Sequence, residues 1–102
     1  MNMTITDKAF TWFKDELNLE KGDNVQFFVR YGGFGQFQSG FSLGIAEKSP
    51  DEPAVSTDKE GVTFYVEKKD EWYFDGKSFQ VNYSDDKGEI TYDHEDSKEN
   101  NQ

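Results

Sequence analysis

Ala9, Phe10, Phe13 and Leu17 recur at intervals of three and four, which predicts an amphipathic helix with Trp12 at the border of its apolar face. Thr6 is the expected N-cap, and Asp7 suits the positive end of the helix. Gly22, within Glu20-Lys21-Gly22-Asp23-Asn24, is expected to break the pattern. The period then changes to two. Val25, Phe27, Val29 and Tyr31 share one face of a strand, and Phe28 on the other face implies partial cover there. Gly32-Gly33-Phe34-Gly35 interrupts this strand at a bend that displays Phe34. Alternation resumes through Phe37, Ser39, Phe41, Leu43 and Ile45, predicting a second long strand that ends at the polar loop Glu47 to Pro53. Val62, Phe64 and Val66 predict a third strand, Trp72 to Tyr83 a hairpin turning at Asp75-Gly76, and Glu89 to Tyr92 a short last strand.

One helix followed by five or six strands, without a βαβ rhythm, predicts an α+β or mainly β domain. Composition limits its size and chemistry. The 102 residues suit one small domain and exclude a multidomain enzyme. Only 33% are hydrophobic, and Phe, Ile, Leu and Val together supply 22 residues, close to the composition at which disorder begins. Ten phenylalanines argue for folding, because a few large rings replace many aliphatic side chains in a small core.

The net charge of −10 opposes binding to nucleic-acid phosphates or anionic lipid. Half of it lies in residues 84–102, and Asp93 to Gln102, without an apolar residue, are expected to form an acidic disordered tail after a domain spanning 1–92. No apolar run approaches the length of a membrane span, and the first residues lack a signal-peptide pattern, so the expected setting is cytoplasmic.

With no cysteine in the sequence, disulfides, thiolate nucleophiles and cysteine-ligated metal centres are excluded. His94 is the sole histidine, and its acidic neighbours on a mobile tail offer no preformed metal shell. The glycine-rich segment lacks the following helix and the Gly-Lys-Ser/Thr of a phosphate loop. Asp70, Glu71 and Asp75 beside an aromatic run read as a turn and hairpin edge rather than as general acids. Neither a catalytic residue nor a cofactor is expected. The candidate interaction surface gathers around the glycine bend: Arg30, the sole arginine, with Tyr31, Phe34, Gln36, Gln38, Trp72 and Tyr73. Arg30 is placed either to stack on a ring or to form an internal ion pair, and Phe34 either to serve as a displayed anchor or to plug the core.

Three segments together resemble a known family: Ile5-Thr6-Asp7-Lys8-Ala9, then Val29-Arg30-Tyr31-Gly32-Gly33-Phe34-Gly35 through Ser39 to Gly44, then Glu71-Trp72-Tyr73-Phe74-Asp75-Gly76. Over roughly residues 3–92 the chain looks like the HesB-like domain of A-type iron–sulfur carriers, and most like its small cysteine-lacking YneR-like branch. The resemblance implies a compact mixed β-barrel or sandwich of about 5–7 strands after the helix, and a homo-oligomer or a protein partner. It also implies ligand positions that this chain leaves empty. Such carriers place a cysteine in the glycine-rich turn, where Phe34 stands here, and a Cys-Gly-Cys pair near the C-terminus that the acidic segment lacks. The expected function is therefore a non-catalytic HesB-like interaction module. The alternative is an accessory iron or iron–sulfur assembly protein that binds iron weakly or works with a thiol-bearing partner, and a small-ligand binder using Arg30 and the rings is a third reading.

Overall fold

The structure, a computed structural model, describes residues 1–33 and 37–95. Seven strands and one α-helix occur among them: β1 (Met3–Ile5), α1 (Asp7–Leu17), β2 (Asn24–Tyr31), β3 (Phe41–Glu47), β4 (Pro53–Lys59), β5 (Val62–Glu67), β6 (Ser78–Ser84) and β7 (Glu89–Glu95). A 3₁₀ helix, Lys68–Phe74, joins β5 to β6. The strands form two sheets, ordered β1-β6-β7 and β3-β2-β5-β4, so the mainly β fold is an open two-sheet arrangement rather than a closed barrel.

Thr6 caps α1 as its sequence position requires, its Oγ1 accepting from the Ala9 N–H at 3.1 Å. The same hydroxyl donates to Asn82 Oδ1 at 3.1 Å, and the Thr6 N–H donates to the Val81 carbonyl at 3.0 Å, so the cap also ties the helix to β6. The helix stops a full turn before Gly22. Asn18 takes the left-handed conformation, with φ 57°, and its N–H returns to the Lys14 carbonyl.

Buried rings fill the space between the sheets and α1. Phe13 lies 5.8 Å from Phe27 and 5.4 Å from Phe64, and Phe27 meets Tyr92 of the other sheet edge-on at 5.8 Å. Burial, and then the neighbouring Tyr73 phenol, push the Tyr92 hydroxyl well above its ordinary range. At the opposite end Phe74 stacks on Phe79 at 4.6 Å, and Phe37 packs edge-on against Phe74 at 4.9 Å.

The outer face of the four-stranded sheet is covered in part, as Phe28 implies. Tyr65 is buried there and donates to the Lys48 carbonyl, while the Glu67 carboxylate accepts from the Asp51 and Glu52 N–H groups at 2.8 and 2.7 Å. These bonds hold the loop between β3 and β4 over the sheet.

Several elements differ from the sequence reading. β1 and β4 were not expected: β1 is too short to show alternation, and β4 carries few apolar residues because it is an edge. The second long strand begins at Phe41, not Phe37, because the Gly32 N–H bonds the Gly40 carbonyl and draws residues 37–40 into the bend. Trp72 to Phe74 are not a hairpin arm. They end the 3₁₀ helix, whose spacing buries Asp70, Tyr73 and Phe74, and the hairpin is instead β6 with β7. β7 runs through Glu95, so His94 pairs opposite Phe79 and its ring lies 5.1 Å from Phe37, where composition alone placed Asp93 to Glu95 in a tail. Residues 96–102 of that expected tail lie outside the described residues.

Replacing Phe13 by Ala should cost about 3–5 kcal/mol, since the ring is wholly buried against both β2 and β5 and the surrounding rings cannot collapse into its space. Equilibrium denaturation of the two proteins would show this as a lower midpoint without a change in slope.

Candidate functional site

β2 ends and β3 begins at the glycine bend, with Tyr31 directly opposite Phe41 in the antiparallel register. The Tyr31 ring touches Phe41 at 5.3 Å, and Phe41 meets Trp72 edge-on at 5.2 Å. Tyr31 is 89% exposed and Trp72 51%, the two large apolar side chains most open to solvent among the described residues. Together they form a strip of rings running from the sheet end onto the 3₁₀ helix.

Tyr73 supports this strip from below. It is buried, lies 6.0 Å from Trp72, and donates its hydroxyl to the Phe41 carbonyl at 3.4 Å. Gln38 donates to the Tyr73 carbonyl at 3.4 Å, so the loop before β3 is fastened to the 3₁₀ helix. Gln38 and Tyr73 thus hold the surface in place, and Tyr31 and Trp72 present it.

Arg30 faces the other way. Strand alternation puts it with Phe28 on the outer face, where both side chains lie over Gly44; a Cβ at that glycine would come within 2.5 Å of Phe28 Cζ and 2.7 Å of Arg30 Cδ. Arg30 forms no ion pair among the described residues. Phe34 and Gln36 lie outside the described residues. Phe41 was missed as a site residue because the alternation placed it in an ordinary strand interior; its position opposite Tyr31 follows only from the register.

Beyond Gly44 the outer face continues into an open cleft of about 280 Å³ lined by Gln26, Phe28, Ala46, Lys48, Lys69 and Asp70. One Asp70 carboxylate oxygen is buried there without a hydrogen-bond partner among the described residues.

The donor set does not suit an iron–sulfur cluster. The sequence contains no thiolate, and the described residues contain no group of three or more histidine, aspartate or glutamate side chains placed to hold a metal ion.

A two-sheet domain with this helix, glycine bend and late hairpin defines a class. Residues 1–100 match the family described as iron-sulphur cluster biosynthesis, and the chain belongs to that family. It is 48% identical over 95 residues to the protein of Bacillus subtilis named pyruvate dehydrogenase inhibitor, covering 93% of this chain and 100% of that one. An uncharacterized protein of Staphylococcus saprophyticus is 37% identical, over 90% of this chain and 97% of its own. Among solved structures, Escherichia coli SufA, involved in biosynthesis of iron–sulfur clusters, shares the fold with a TM-score of 0.61 at 16% identity, covering 99% of this chain and 85% of that one. The HesB-like resemblance is thereby established for fold and family.

Anaerobic reconstitution with iron and sulfide, followed by removal of unbound metal, should leave the protein without a stoichiometric cluster. Visible absorption and iron and sulfide analysis would read this out, and about one cluster per dimer in the absence of other thiols would contradict it. Tyr31→Ala should change folding stability by less than about 1 kcal/mol, because its ring stands largely in solvent. Thermal and denaturant melts check this.

Proposed function

We propose that this chain is a non-catalytic interaction module that binds and inhibits an enzyme, with pyruvate dehydrogenase as the first candidate, and that it works without a cluster of its own. The observation that carries the reading is 48% identity, over the full length of the relative, to a protein named pyruvate dehydrogenase inhibitor.

The chemistry of the chain agrees with this role. Carrying a cluster needs thiolates, whereas inhibition by binding needs only a surface with affinity for the enzyme. Tyr31 and Trp72 supply rigid, half-apolar rings of the kind that anchor protein interfaces, held from beneath by Tyr73 and Gln38. Among the described residues no helix is long and apolar enough to cross a membrane, and we place the protein in the cytoplasm with its target.

Purified protein added to the Bacillus subtilis pyruvate dehydrogenase complex should lower turnover saturably, and Trp72→Ala should require at least about tenfold more protein for the same effect. Unchanged turnover at a large excess, together with no co-sedimentation with the complex, would refute the proposal. Inhibition by wild type and Trp72→Ala alike would remove the ring strip from it.

A further inference from the structure

Among the described residues the two sheets leave four edge strands, β1, β7, β3 and β4, and an unpaired edge is a template for another chain unless it is blunted. Three of the four are blunted by identifiable devices. β1 has only three residues, and its Met3 carbonyl accepts from the Thr57 hydroxyl of β4. β4 begins with a proline, shifts register between Pro53 and Val55, and carries Asp58 and Lys59. β7 carries Glu89 and Asp93.

β3 has none of these. Its seven residues, Phe41-Ser42-Leu43-Gly44-Ile45-Ala46-Glu47, pair with β2 in unbroken register and include no proline, no lysine, and a single charge at the very end. Its outward side chains are small, Ser42, Gly44 and Ala46, and of these Gly44 lies beneath Phe28 and Arg30 while Ser42 and Ala46 are only partly covered. Phe41, at the start of the strand, is continuous with the exposed Tyr31 and Trp72 rings.

We propose that β3 accepts an extended segment of a partner protein as an added strand, with apolar and polar residues alternating and a basic residue beside Glu47. The protein nature of the partner rests on the inhibitory reading given above. The strand geometry rests on the edge itself. Beyond the Phe41 carbonyl, which already accepts from the Tyr73 hydroxyl, the backbone N–H and C=O groups alternating along β3 on the side away from β2 would supply the hydrogen bonds, and the ring strip would take the segment's apolar side chains at the Phe41 end. Charge selects the occupant. A chain of net charge −10 meeting a second copy edge to edge brings like charge to like, whereas a basic segment complements both Glu47 and the whole molecule.

The test uses isotopically labelled full-length protein and a synthetic peptide, acetyl-Lys-Val-Thr-Val-Thr-Val-Lys-amide, followed by amide NMR shifts and hydrogen exchange. The peptide should shift residues 41–47 and slow exchange at alternate amides there. A peptide with Glu in place of both lysines, and the wild-type peptide on the Ala46→Lys protein, should each bind at least about tenfold more weakly. Shifts confined to β1, β4 or β7, or none at millimolar peptide, would overturn the proposal. So would β3 amides already protected in a protein that sediments as a dimer, which would make a second copy the occupant. Peptide binding at β3 without any effect on pyruvate dehydrogenase would refute the inhibitory reading and leave the edge standing; inhibition without peptide binding would do the reverse.

Discussion

Phe13 is the contact on which the rest of the domain depends. A chain with so few aliphatic residues closes its core with rings, and Phe13 is where the helix meets both central strands of the larger sheet, Phe27 of β2 and Phe64 of β5. Phe27 then passes the packing on to Tyr92 in the smaller sheet. Helix, large sheet and small sheet thus meet through four side chains, each touching the next in the edge-on or tilted geometry that ring quadrupoles favour. The helix alone is only 11 residues long, too short to persist in water without such burial.

The sequence was most readable where one physical signal acted alone. Ala9, Phe10 and Phe13 gave the helix, and Val25 to Tyr31 gave β2, because one face of each is apolar and local periodicity suffices. It was least readable where long-range contacts decide the outcome. Trp72, Tyr73 and Phe74 have strong strand propensity, yet they form a 3₁₀ turn because Tyr73 and Phe74 are both drawn into the core, which a strand with alternating faces could not achieve. His94 looked like part of a polar tail because its pairing partner, Phe79, lies fifteen residues earlier and carries the apolar signal for both.

The surface around the bend was legible in part. Tyr31 and Trp72 are exposed and share Phe41 as a neighbour, but nothing local announces that neighbour, and the face on which Arg30 lies is settled by the parity of β2 rather than by its nearness to the rings. The family fold is present here in a chain that has no thiolate. The scaffold and the ligand positions are separable, because the rings and strands that hold the domain together are not the residues that would hold a cluster.

The parallel register that sets Met3, Thr4 and Ile5 beside Phe79, Gln80 and Val81 has a consequence for the birth of the molecule. On the ribosome β1 is made long before β6 exists, and among the described residues it has no other strand partner. Neither the small sheet nor the tie from Thr6 to Asn82 can form until most of the chain has emerged. The Trp12 ring of α1, which stacks on Tyr83 of β6, must therefore wait uncovered through much of synthesis, an interval in which apolar surface is open to holdase chaperones.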